Sequence, residues 1–146
     1  MMAARRRGDS DRQKVVTEAL EWINTPYHHH GRIKGAGVDC AMLLCEVFER
    51  AGVIARVDPG FYAHDWHLHH SVELFSDWLG KHAREKSGPF QPGDIALWKY
   101  GRTFSHGSIY VGENLFAHSY IGRGVILSRA DEEPLAGREM QHWSFW

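Results

Sequence analysis

An α+β fold is predicted by the order of two patterns along the chain. Apolar residues recur at helical spacing through the first half, and from Gly93 onward short β-prone runs alternate with Gly, Asn and Pro turns. Helices first and strands second argue for N-terminal helices packed on a C-terminal antiparallel sheet, not for an alternating parallel one. With 146 residues, 43% apolar and 12% aromatic, the chain has enough material for one real core. No internal repeat, low-complexity linker or second domain interrupts it.

The elements follow in order. Met1 to Ser10, basic through Arg5-Arg6-Arg7, lacks the apolar core of a secretory signal and is expected to be a flexible solvated tail, leaving 11–146 as a single domain. Asp9 or Ser10 is placed to cap a helix from Asp11 to Ile23, with Val15, Val16, Ala19, Leu20 and Ile23 on its apolar face and Asn24-Thr25-Pro26 as its stop. A second helix is expected from Cys40 to Arg50, closed by Ala51-Gly52. A third runs from His70 to about Arg84, on the stripe Val72, Leu74, Phe75, Trp78 and Leu79, until Ser87-Gly88-Pro89 breaks it. Strands are expected at Asp94–Lys99, His106–Val111, Leu115–Ser119, Gly124–Ser128 and Met140–Phe145.

Chemistry concentrates at the start of the second helix. Asp39 is a good N-cap after Gly35-Ala36-Gly37-Val38, and it places the Cys40 thiol on the first turn. Backbone N–H groups and the positive end of the helix dipole both favour a thiolate there, the form that attacks. Cys45 lies five positions on, roughly 140° around the helix, so the two cysteines are expected to remain unpaired and Cys45 to be a small core residue.

His106 and His118 have the same parity on the two strands flanking Gly112-Glu113-Asn114. A hairpin centred on Gly112 pairs them directly, on one face, with Cβ atoms about 5 Å apart. One imidazole then takes the thiol proton while the other orients it, the general logic of an activated nucleophile.

The order of these motifs resembles the NlpC-type cysteine peptidases of bacterial cell-wall metabolism, which share a compact papain-like fold. Thr25-Pro26-Tyr27 is similar to the family's Pro-Tyr segment, Gly37-Val38-Asp39-Cys40 to its nucleophile segment and Gln91-Pro92-Gly93-Asp94 to its strand entry. Ser105 to Gly112 resembles the strand of the base, and Phe116-Ala117-His118 that of the third residue. The resemblance covers about Val15 to Arg129. It implies Cys40 as nucleophile, His106 as base and His118 as orienting residue. Tyr27 and the Cys40 backbone N–H are the implied oxyanion donors, with Asp39, His28, His29, His30 and Ser105 as further candidates for oxyanion or substrate contact.

Two segments depart from the family pattern: Ala41-Met42 stand where Ser-Gly is usual, and His28-His29-His30-Gly31-Arg32 where a Trp and paired glycines follow the tyrosine. The latter, with Asp65-Trp66-His67-Leu68-His69-His70, resembles the branch encoded in tails of phages and gene transfer agents. That branch implies a peptidoglycan stem peptide as substrate, tail-tip proteins as partners, and synthesis in the cytoplasm followed by carriage to the wall in a tail particle. It also keeps open a catalytically silent structural tail component. The triad logic serves acyl transfer as well as hydrolysis.

The formal charge of −1 gives no electrostatic reason to expect nucleic acid or an anionic membrane as partner, and no run is long enough to span a bilayer. Nothing points to a cofactor. Eleven histidines, clustered at His28 to His30 and at His64, His67, His69 and His70, raise a metal-binding module as a competing class. Neither cluster has the Cys-plus-His spacing of a structural zinc site, so no metal is expected, and lining of the cleft beside Tyr27 is the preferred role for His28 to His30. Trp22, Trp66, Trp78 and Trp98 fall in apolar patterns and are expected in the core. Trp143, Phe145 and Trp146 either pack on the sheet, the preferred reading, or form an end that docks into a neighbour.

Overall fold

The structure, a computed structural model, describes residues 2–55 and 77–146, with side chains from residue 8 onward. The His64–His70 cluster, Asp65, Trp66 and the start of the expected third helix lie outside the described residues. Element order is α1 (Met2–Glu21), β1 (Arg32–Ile33), β2 (Gly37–Val38), α2 (Cys40–Arg50), β3 (Arg84–Lys86), β4 (Ile95–Tyr100), β5 (Thr103–Gly112), β6 (Leu115–Tyr120), β7 (Gly124–Arg129) and β8 (Met140–Ser144). Residues 77–82 are helical. The six-stranded antiparallel sheet has the order β3-β8-β4-β5-β6-β7, and β1 and β2 form a separate two-stranded hairpin. This is the α+β architecture expected.

α1 begins well before Asp11, because Ala3-Ala4-Arg5-Arg6-Arg7 are strong helix formers and continue the helical run. It ends at Glu21, and the turn that follows closes at Asn24, which adopts φ 74°, the left-handed conformation asparagine tolerates. α2 is capped as its sequence predicts: Asp39 is extended (φ −98°) and accepts from Met42 N–H at 2.9 Å. At the other end Gly52, at φ 78°, sends its N–H to Glu49 O while Val53 N–H reaches Phe48 O. The third helix ends at residue 82, and Arg84–Lys86 instead pairs with β8, a strand the helical stripe concealed.

One face of the sheet carries Ile95, Leu97, Ile109, Ala117 and Val125 onto Val15, Ala19 and Trp22 of the N-terminal region and the apolar side of α2. The opposite face has its own smaller cluster of Ala96, Trp98, Phe116 and Leu135, with Phe90, Tyr100 and Tyr110 packed on it. Trp22, Trp78 and Trp98 are buried as expected. The C-terminal aromatics pack inward: Phe145 lies 4.6 Å from Phe48 between ring centroids, and Arg12 stacks 4.4 Å over Trp146. β8 sits between β3 and β4 inside the sheet, in line with the preferred reading that this segment packs on it.

Two buried ionic clusters tie the layers together. Asp94 receives Arg12 of α1 at 2.8 Å, His142 of β8 at 2.7 Å and the Gln91 N–H at 3.0 Å. Burial opposes the Asp94 carboxylate, yet these partners outweigh it and hold its pKa below the usual range. Arg32 of the β1–β2 hairpin bonds Glu46 and Glu49 of α2, with Arg50 on the other Glu46 oxygen at 3.1 Å. Among the described residues, no helix is long and apolar enough to cross a membrane.

Candidate active site

The site forms where the N-terminus of α2 meets a gap in the sheet. β5 pairs with β4 down to Thr103, but with β6 only from Ile109 to Gly112, so the two strands part below Ile109. Cys40 Sγ meets β5 in this unpaired stretch. It lies 3.7 Å from Ser105 O, toward which the thiol donates, and accepts the Gly107 N–H. The sulfur therefore rests on the β5 backbone at the two residues flanking His106.

The hairpin register differs from the expected one. Glu113 and Asn114, at φ 55° and 62°, form the turn, and Ile109 pairs with Ala117 and Tyr110 with Phe116. His106 lies beyond the last paired residue, Ile109, so it is not set directly opposite His118 as expected, and the long imidazoles bridge the distance instead. His106 Nε2 and His118 Nδ1 are 2.7 Å apart, and His118 Nε2 is 2.8 Å from Ser128 Oγ on β7. With His106 Nε2 occupied, Nδ1 is the nitrogen left for exchange with the thiol.

Both imidazoles are buried, His106 beside Tyr100 and Tyr120. Burial, the adjacent His118 and the charge of Arg138 lower the His106 pKa to about 3, and burial with Arg123 lowers that of His118 to about 4. Both rings are neutral near pH 7. Burial, reinforced by the Asp39 carboxylate, pushes the Cys40 thiol up to about 12, against the pull of N–H groups from Gly107, Ala41 and Cys40 itself. Desolvation thus works against the pull toward thiolate that the backbone N–H groups of the helix N-terminus exert.

The remaining candidates cluster on the N-terminal side of Cys40. Tyr27 forms a parallel bridge with Val38 and is half-buried. Burial and the nearby Cys40 and Asp39 push its hydroxyl up to about 12, so it keeps its proton and serves as a donor. Asp39 accepts from Met42 N–H with one oxygen and from His30 N–H at 2.8 Å with the other, pinning the histidine segment to the nucleophile helix. His29 and His30 stack at 3.9 Å, with His29 Nδ1 3.9 Å from the same carboxylate, whereas His28 turns outward with Nδ1 against His29 O. A Cβ at Gly37 would sit 2.6 Å from His28 Cβ, so this approach requires glycine.

Ala41 and Met42 are both in the core, which makes the first departure from the family pattern a packing difference beneath the site. Cys45 is fully buried and both cysteines are free. Among the described residues no group of three or more His, Cys, Asp or Glu converges as a metal site. Sequence reading missed Ser128; its only signal is its parity with His118 on the next predicted strand.

A helix-borne thiol set against a pair of strand-borne imidazoles defines a papain-like α+β domain with a cysteine–histidine site. The chain belongs to the NlpC/P60 family, whose model matches residues 24–144. It is 26% identical over 113 residues to a probable endopeptidase NlpC homolog of Haemophilus influenzae, covering 77% of this chain and 51% of that one. It is 22% identical over 121 residues to the murein DD-endopeptidase MepS/murein LD-carboxypeptidase of Escherichia coli K12, covering 83% and 56%. The chain thus spans about half the length of these relatives. Among solved structures, the NlpC/p60 domain of the peptidoglycan hydrolase SagA superposes with a TM-score of 0.61 at 20% identity, covering 89% of this chain and 96% of that one. An NlpC/P60 family protein from Bacillus cereus gives 0.63 at 15% identity, covering 89% and 39%.

Proposed function

We propose that this domain is a cysteine-type endopeptidase that hydrolyses amide bonds in peptidoglycan stem peptides, on the strength of one observation: Cys40 Sγ is seated on the backbone either side of His106, whose ring is held by His118. In this mechanism the Cys40 S–H passes its proton to His106 Nδ1 as sulfur bonds to the amide carbonyl carbon. The oxyanion is met by the Cys40 N–H and the Tyr27 hydroxyl. The C–N bond then breaks with the proton passing from His106 to the leaving amine, and water, deprotonated by the same nitrogen, releases the acid and restores the thiol. The murein-directed names of the relatives support this substrate class. His28 to His30, set beside Tyr27, would meet an anionic stem peptide at the rim.

A finer placement in a phage-like or gene-transfer-agent tail rests on the histidine-rich variant segments. It predicts that the protein reaches the wall as part of a particle and contacts tail-tip proteins.

Mass spectrometry of purified muropeptides incubated with the protein, beside a Cys40→Ala control, tests the activity. A thiol-dependent product establishes it and identifies the bond. No product from several cross-link types, with the protein folded and reduced, would favour a structural tail component.

A further inference from the structure

The row of imidazoles does not end at His118. It continues to Ser128 on β7, and we propose that Ser128 is a positioning residue that determines which nitrogen of His106 is free to act as base. The inference rests on the roles given above to Cys40 and His106.

With both rings neutral, each imidazole carries one N–H, and the contacts of 2.7 Å and 2.8 Å can be threaded with protons in two directions only. In the first, His106 Nε2–H donates to His118 Nδ1 and His118 Nε2–H donates to Ser128 Oγ, leaving a bare lone pair on His106 Nδ1. In the second, Ser128 O–H donates to His118 Nε2, His118 Nδ1–H donates to His106 Nε2, and the His106 proton sits on Nδ1. Only the first leaves a base for the Cys40 proton. It requires an oxygen acceptor at the far end of the row, and Ser128 Oγ is that acceptor.

Its surroundings single it out. Ser128 is 2% exposed, and His118 Nε2 is the partner the structure shows for its hydroxyl. Two other buried serines close by in the strands are committed elsewhere: Ser108 accepts from Trp98 Nε1 and donates to Ala96 O, and Ser119 donates to Val38 O. The charged groups acting on the row, Arg123 on His118 and Arg138 on His106, both oppose protonation and keep it neutral. Without the Ser128 oxygen, the first direction leaves a buried N–H with no acceptor and the second leaves only a bare acceptor nitrogen. Orphaned donors are the rarer and costlier defect, so the population moves to the direction without a base.

Nitrogen-15 NMR of the full chain at pH 7 reads the tautomers without any substrate. Wild type is expected to show His106 and His118 both protonated at Nε2 and bare at Nδ1. Ser128→Ala should shift both toward Nδ1–H and lower kcat on muropeptides on the order of 10-fold with KM unchanged, the scale of one orphaned buried donor. Ser128→Thr, which keeps the oxygen, should retain the wild-type tautomers. His118 found as Nδ1–H in wild type, or tautomers unmoved in Ser128→Ala, would overturn the assignment. If Ser128→Ala fails to fold, the wild-type spectrum alone decides. If no muropeptide is turned over, the substrate reading falls while the tautomer result still stands or fails by itself.

Discussion

Lowering the pH from 7 to 4.5 should destabilise this domain steeply, and the slope should count two histidines. In the native state the His106 and His118 pKa values are about 3 and about 4, whereas unfolded histidine titrates near 6.5. Between these limits the unfolded chain binds more protons than the native one, so stability falls as pH falls, beginning below about 6.5. At pH 5 the unfolded pair holds close to two protons and the native pair almost none, which gives a slope of about 2.5 kcal/mol per pH unit. Asp39 works the other way, since burial raises its carboxyl and its protonation in the fold offsets part of the loss as pH drops toward 4. Asp94, held low, adds its loss only below about 4. Urea unfolding at half-unit pH steps measures the slope. His118→Gln removes one of the two groups and should roughly halve it near pH 5. An unchanged slope in that variant, or a wild-type slope under about 1 kcal/mol per unit, would refute the assignment of acid lability to the imidazole pair.

Other perturbations separate the parts of the site. Asp39→Ala strips acceptors from the Met42 and His30 N–H groups together and should cost about 2–4 kcal/mol in urea unfolding; Asp39→Asn, which retains one oxygen, should cost about half as much. Equal losses would mean that only one of the two contacts matters. Tyr27→Phe should reduce muropeptide turnover by about 10²–10³ in kcat with the fold intact, and full activity would remove Tyr27 from oxyanion stabilisation. Arg32→Met removes the guanidinium shared by Glu46 and Glu49 of α2 and keeps Arg50 on Glu46. A loss of about 3 kcal/mol by chemical denaturation is expected, and one below about 1 would show that Arg50 suffices.

Much of this was legible in the residues because local chemistry and global fold agree. The α2 cap, the Gly52 stop and the five C-terminal strands follow from patterns a few residues long. What escaped was non-local. Arg84-Glu85-Lys86 is entirely exposed and carries no alternation, so its strand exists only because β8 offers an edge. The two-residue slip in the hairpin came from Glu113 and Asn114, both adopting positive φ in place of a turn centred on Gly112. The environment of the thiol was hidden for a related reason: a sequence shows the helix that would stabilise a thiolate, but the desolvation opposing it depends on how strands and helix close around the sulfur.

The gap between β5 and β6 has a consequence for sequence drift. Because Sγ rests on the Ser105 carbonyl and the Gly107 N–H, its position is referenced to main chain, which every residue supplies. Side chains beneath the helix can then be exchanged, as Ala41 and Met42 have been, without moving the nucleophile relative to its base. A site anchored in this way can persist while identity falls to the 15–26% seen among its relatives.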